Sequence, residues 1–213
     1  RRTIDKALHP ASSIWSHVLD AEPLALDSNN SSFAFVLWKK GIYNMTHDAH
    51  EKWRRKEPQW GQLSKLPRAQ ETVKLIVKEN IIEIWSKGMG VNQYDIETGE
   101  ILSSEIIDNE VFLLNVFNCG ERYLLQLNDN EVAMLEGKNI ILRAKLSGPI
   151  CDAFWSEKKQ GWYLSGWREI IFLSVSHFTK IALDEIPIYY DNTRKIALFN
   201  DSRWRKIILD EEE

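Results

Sequence analysis

Short apolar runs separated by polar turns recur along the chain, and the stretch from Thr72 to Leu102 shows the pattern most fully. Val73-Lys74-Leu75-Ile76-Val77 is apolar and rich in β-branched residues, the mark of a buried strand. Lys78-Glu79-Asn80 is a polar turn, and Ile81–Trp85 is a second strand. Lys87-Gly88-Met89-Gly90 reads as a turn whose glycines supply positive φ. Val91–Tyr94 is a third strand, Asp95–Gly99 another turn, and Glu100–Leu102 the start of a fourth strand. The stretch therefore predicts an antiparallel meander of four short strands.

The same order returns downstream. Inner strands begin near Val73, Val111, Ile150 and Ile188, which by subtraction are 38, 39 and 38 residues apart. Second strands recur at Tyr123–Leu127, Trp162–Ser165 and Ile196–Phe199, and third strands at Val132, Ile170 and Trp204. A near-constant period with four strands per unit predicts an all-β fold, a β-propeller of four-stranded antiparallel blades. Each unit leaves a face bare, and stacking on the next covers it. The other architecture with this spacing is a sandwich with evenly placed turns. Without a low-complexity linker, the expectation is a single domain over 1–213 with five blades: 12–70, 71–108, 109–148, 149–186 and 187–213. Ser147-Gly148-Pro149 and Ile186-Pro187 mark crossings between blades, because the first residue of a strand need not donate to the ladder.

The two ends depart from the repeat. Ile14–Leu19 reads as the inner strand of the first blade, followed by a long loop over 20–32 with Pro23 and the cluster Ser28–Ser32. Phe33–Trp38 is a strand, Lys39-Lys40-Gly41 a turn, and Ile42–Met45 the next strand. Residues 46–70 read as an insertion, helical from Thr46 to Glu57 and stopped by Pro58, with Gln62–Leu66 resuming as the outer strand. The last blade shows three strands and then the acidic tail Asp210–Glu213, so the N-terminal segment Thr3–Leu8 is expected to supply its outer strand and close the ring.

One turn carries a resemblance. Tyr94-Asp95-Ile96-Glu97-Thr98-Gly99-Glu100 resembles the aspartate–threonine–glycine turn of quinoprotein-like and related propeller repeats. It covers one blade, the other blades lack the turn, and no Trp-Asp dipeptide stands at repeat positions. The resemblance implies a fold and fixes no family or activity.

Composition narrows the picture. In 213 residues, 44% are hydrophobic, enough for a sizeable core, and nine Trp with eight Phe suit packing between blades. A net charge of −4 argues against general nucleic-acid binding. No apolar run is long enough to span a bilayer. Cys119 falls in a turn, and Cys151 reads as a small buried hydrophobe in an inner strand. Two cysteines are too few for a secreted disulfide scaffold, so a reducing, cytoplasmic location is expected. The sequence starts at Arg1-Arg2 without Met, which leaves a removed signal peptide open.

Four groups of residues could carry function. His47 and His50 could share a helical face and bind a metal, but no third ligand is evident, and a solvated helix start explains them as well. Lys52-Trp53-Arg54-Arg55-Lys56 could touch phosphates, whereas the plainer reading packs Trp53 on the propeller beside a solvated basic face. Trp155, Trp162 and Trp167 could form sugar-stacking shelves, or be core between blades; Trp167, in a turn, is the exposed candidate. The fourth group follows from the repeat. One rim of a propeller carries the loops between blades and the turns joining second and third strands. Those loops hold Asp108, Glu110, Asp129, Glu131, Glu169, Asp184, Glu185 and Asp201, against Lys87 and Arg168. The opposite rim mixes signs, with Lys78, Glu79, Glu97, Lys138, Glu157, Lys158, Lys159 and Arg194. An acidic rim steers a basic partner; acids kept for solubility alone would look the same.

No nucleophile elbow, phosphate loop or dinucleotide fingerprint is present, and no cofactor is implied. The expectation is a non-enzymatic protein-binding module whose acidic rim, with Trp167, meets a basic protein. A cytosolic immunity protein neutralising a cationic toxin such as a nuclease has this physical type. A carbohydrate-binding propeller, a small glycan hydrolase using rim carboxylates, and a subunit of a larger assembly are the alternatives.

Overall fold

The structure is a computed structural model that describes residues 11–108, 110–207 and 209. Among these residues, strands form five antiparallel sheets, and helix is confined to two short 3-10 turns, Gly61–Lys65 and Asn128–Asn130. The chain divides into two compact units, Arg1–Phe112 and Leu113–Glu213. Within each, the sheets are up-and-down meanders, the blades of a β-propeller.

Unit one holds two sheets. The first is β1 (Pro23–Ser28), β2 (Ser32–Leu37), β3 (Gly41–Thr46) and β4 (Glu51–Arg55). The second is β5 (Thr72–Val77), β6 (Ile81–Ser86), β7 (Gly90–Asp95) and β8 (Ile101–Ile106). Each is ordered as in the sequence. Ala34, Val36, Ile42 and Trp53 of the first sheet pack on Leu75, Val77, Ile82, Ile84 and Tyr94 of the second. Each large apolar side chain so buried contributes about 1.5–3 kcal/mol.

Unit two holds three sheets. The third sheet is β9 (Leu113–Cys119), β10 (Arg122–Leu127), β11 (Glu131–Glu136) and β12 (Asn139–Lys145). The fourth is β13 (Asp152–Ser156), β14 (Gly161–Gly166), β15 (Glu169–Leu173) and β16 (Phe178–Ala182), and the fifth is β17 (Pro187–Asp191), β18 (Ile196–Phe199) and β19 (Trp204–Lys206). The fourth sheet is covered on both faces. Trp162, Leu164, Ile171 and Leu173 meet Leu124, Val132 and Met134 on one side. Tyr163 and Ile170 meet Tyr190, Ala197 and Phe199 on the other. Phe154 stacks between Tyr163 and Tyr190, with centroids 5.2 and 5.0 Å away. Double coverage explains why β14 reads as a continuous apolar run with no polar face.

Several expectations are corrected. The first strand of the first sheet is Pro23–Ser28, inside the segment read as a loop, while Ile14–Leu19 forms no strand. Pro23 starts a strand, where no ladder donor is needed. Asp27 and Asn29, which look like loop residues, work at the strand end: Asp27 accepts the Val77 N–H at 2.8 Å, and the Asn29 side chain accepts the Ser31 and Ser32 N–H groups. Ile14 is 94% exposed, and Trp15 lies on Phe33 while its indole donates to the His47 carbonyl at 2.8 Å. The helix expected over Thr46–Glu57 is instead the end of β3, a tight turn with Ala49 at φ 70°, and β4. Helix propensity is a weak prior there, because burial of Trp53 against the second sheet decides the conformation. Gln62–Leu66 lies in and after a 3-10 turn and forms no outer strand.

In the turn before β7 the positive φ falls on Met89, at 63°, and on neither glycine. Gly88 and Gly90 serve close approach: a Cβ on Gly88 would sit 2.8 Å from Ala69 Cβ, and one on Gly90 2.5 Å from the Trp60 indole. Cys151 is exposed and precedes β13, its N–H bonded to the Ser165 carbonyl, and Cys119 ends β9 half-buried. Thr3–Leu8 and the tail Asp210–Glu213 lie outside the described residues.

Candidate functional site

The acidic loops of unit two lie at one end of its three sheets. Backbone bonds tie each inter-sheet crossing to a neighbouring turn: Leu146 N–H to Asn130 O, Leu183 N–H to Arg168 O, and Asn200 N–H to Ile186 O, at 2.8–2.9 Å. Asp129, Glu131, Glu169, Asp184, Glu185 and Asp201 all sit on or beside these loops, with Trp167 among them. Asp108 and Glu110 belong to unit one, where the Asp108 carboxylate accepts the Glu110 N–H at 2.8 Å.

Trp167 is 52% exposed in the β14–β15 turn. A Cβ on Gly148 would stand 2.6 Å from Trp167 Cβ, so the crossing loop presses against the base of that side chain and fixes it. Asp129 and Asn130 take left-handed φ of 58° and 59°, a conformation their short polar side chains tolerate.

Three of the six rim acids of unit two have cationic neighbours that the sequence reading of the loops does not include. Glu131 pairs with Arg143 at 3.0 Å, and Glu169 with Lys180 at 3.3 Å. Asp201 pairs with Arg205 at 2.5 Å. Partial burial works against the Asp201 charge, but the Arg203 N–H and the Arg205 guanidinium hold its carboxyl below the usual range. Among the described residues, Asp129, Asp184 and Glu185 make no ion pair. Arg143 and Lys180 reach the rim from strands. Ala133 faces Arg143 and Ile171 faces Lys180, so each cation lies diagonally across from its acid. Counting back from the hairpin turns would have found them.

The other candidate groups have distinct settings. His47 Nε2 is 2.8 Å from the Asn29 carbonyl, whereas His50 Nδ1 is 3.0 Å from Asp48. Their ring nitrogens are engaged separately, and no group of three His, Cys, Asp or Glu among the described residues could hold a metal ion. The basic run of β4 binds the Asp95–Gly99 turn. Trp53 donates to the Ile96 carbonyl at 2.9 Å, Arg55 to the Gly99 carbonyl at 2.9 Å and to that of Thr98, and Lys52 pairs with Glu97 at 2.6 Å. The turn itself is held by Asp95, which accepts the Glu97 and Thr98 N–H groups and the Thr98 hydroxyl. Those bonds, the Thr98 N–H first, pull the Asp95 carboxyl below its ordinary range. Trp162 is 1% exposed, and Trp155 meets it edge-on at 5.7 Å. No helix among the described residues is long and apolar enough to cross a membrane.

No protein-family model and no curated protein matches this sequence. Solved structures do match. The WD40 β-propeller domain of Doa1 aligns with a TM-score of 0.61 at 9% identity, over 85% of this chain and 63% of that one. A protein of unknown function from Bacteroides caccae aligns with a TM-score of 0.54 at 14% identity, over 81% of this chain and 66% of that one. The computationally designed Ika8 protein aligns at 0.49 and 10% identity, over 76% of this chain and 46% of that one. The chain thus spans less than two thirds of the length of these structures. At such identities the likeness is one of fold, and the chain is similar to β-propellers.

Proposed function

We propose that this chain is a non-enzymatic protein-binding module that holds a basic protein against the acidic end of unit two. The observation that carries the reading is Trp167, a half-exposed indole fixed over Gly148 among carboxylates. Aromatic anchors dominate binding energy where a partner desolvates them, and surrounding charge sets encounter rate and specificity. Asp129, Asp184 and Glu185 supply that charge. Glu131, Glu169 and Asp201 are partly offset by Arg143, Lys180 and Arg205 and fix the shape of the rim. A basic protein whose own ligands are phosphates, such as a nuclease toxin, presents the complementary surface. Carboxylates would then occupy the positions of its substrate's phosphates, and the chain would act as a cytosolic immunity protein.

The test is capture from lysate of the source cells at low and high salt, with mass spectrometry of what is retained. A single basic protein, held at low salt and weakened at high salt, is the expected result. Retention of no protein, or of one insensitive to salt, would overturn the acidic-rim reading.

A further inference from the structure

We propose that a cleft between the third and fourth sheets, at the end of unit two opposite the acidic loops, binds an acidic–apolar peptide segment through its carboxylate. The cleft measures about 440 Å³, within the range of ligand-binding cavities. Met134, Trp155 and Trp162 line its apolar part, and Ile141 and Val175, both well exposed, stand at its border.

Arg122 sets the chemistry. Its guanidinium lies 4.7 Å from the centre of the Trp155 ring, a cation–π contact that holds the group in place. Its protein carboxylate is Glu157, reached at 3.4 Å through one oxygen, and the Glu157 side chain is 66% exposed. A guanidinium fork is suited to two parallel bonds, so an incoming carboxylate can make a shorter, two-point contact and release Glu157 to water. The Trp155 ring under that guanidinium keeps an unused donor: its Nε1–H is buried and has no hydrogen-bond partner among the described residues. Ser174 and Ser176 add hydroxyls at the β15–β16 turn, fixed there by bonds to the His177 N–H and Nδ1. One acid, Glu136, also lines the cleft.

The ligand class follows from the charge count. Lys159 also lines the cleft, but its ammonium lies 5.8 Å from the Tyr163 ring and 5.9 Å from that of Phe172, toward the face of the fourth sheet that meets the fifth. That leaves Arg122 as the fixed cation beside Trp155, which suits a monoanion better than a phosphate dianion. The apolar lining takes a neighbouring aliphatic side chain. Ser174–His177 also line a second groove, with Leu142, Arg143, Lys145 and Phe178, so an extended segment can run past the turn and a lone small acid would leave that groove empty.

The experiment titrates the ¹⁵N-labelled protein with acetyl-Leu-Glu-Leu-amide, its Gln counterpart, and inorganic phosphate, following the indole N–H signals. The Glu peptide should shift the Trp155 signal and leave that of Trp167 in place. The Gln peptide should bind at least about tenfold more weakly, since it lacks the charge-assisted pair. Arg122→Met should lose binding to the same degree while the remaining indole signals keep their dispersion. Equal binding of the two peptides, binding of phosphate alone, a shift at Trp167 in place of Trp155, or no shift at all would each overturn the proposal. Outcomes read at Trp155 leave the acidic-rim reading untouched, because the rim's own reporter is Trp167.

Discussion

Replacing Gly90 with Ala places a methyl carbon 2.5–2.7 Å from three atoms of the Trp60 indole. Gly90 opens β7 with no positive φ, so backbone strain plays no part in the cost. Trp60 is 2% exposed, and its backbone N–H is anchored to the Gln70 side chain, so the buried ring has little room to move away. Overpacking of this kind costs about 1–3 kcal/mol. Loss of unfolded-state freedom on changing Gly to Ala returns about 0.4–1 kcal/mol. The net expectation is about 1–2 kcal/mol of destabilisation, or roughly 2–8 °C in Tm at this chain length. Trp60→Ala alone should cost about 3–5 kcal/mol by opening a cavity. In the double variant the new methyl enters that cavity, so Gly90→Ala should then add nothing. Urea denaturation followed by far-ultraviolet circular dichroism measures the cycle without relying on the fluorescence of the removed indole. A coupling of about 1–2 kcal/mol is expected. Additive costs, or a neutral Gly90→Ala, would refute the steric argument.

Three further outcomes test how the first sheet grips the second. Trp53→Phe removes the buried donor to the Ile96 carbonyl, which keeps a second bond from Asn44 at 2.8 Å, so the loss in urea stability should stay near 0.5–1.5 kcal/mol; Asn44→Ala combined with it should cost more than the sum of the two. Gly99→Ala meets both a left-handed φ of 69° and a Trp53 contact at 2.6 Å, and its loss of Tm should exceed that of Gly90→Ala; a smaller loss would contradict the geometry. Asp95 has a folded-state pKa depressed below its unfolded value, so its contribution is present above about pH 4 and is lost as pH falls through the folded pKa. Asp95→Asn should therefore lower Tm at neutral pH and flatten its decline in acid, and parallel Tm–pH curves for the two proteins would exclude this role.

The legible strands were those whose burial dominates their composition. Ile81–Trp85, Tyr123–Leu127, Trp162–Ser165 and Ile196–Phe199 fall within β6, β10, β14 and β18, the second strands of their sheets. Their apolar runs reflect that position, most clearly in β14, with a core on either face. Outer strands carry a weaker signal: β16 is exposed at every position and β8 at most. β1 was hidden by Pro23 and by Asp27 and Asn29, whose polar side chains serve backbone groups of the second sheet, at the Val77 N–H and the Lys78 carbonyl. β4 was hidden because Glu51-Lys52-Trp53-Arg54-Arg55 suits a helix when its contacts are unknown, and only the Asp95–Gly99 turn explains why Trp53 faces inward. The loops that carry the acidic rim followed from the repeat alone. The cations beside them did not, because Arg143 and Lys180 reach those acids only through strand register.

The reading of the rim is tested most directly by the dissociation constant of the captured basic partner, measured at low and high salt for the native chain and for a variant carrying Asp129→Lys, Asp184→Lys and Glu185→Lys. These three residues make no ion pair among the described residues, so their reversal leaves the Glu131, Glu169 and Asp201 pairs of the rim intact. The account predicts a variant at least about tenfold weaker at low salt, with the gap narrowing as salt screens the charges. Equal affinity of the two proteins at low salt would contradict it.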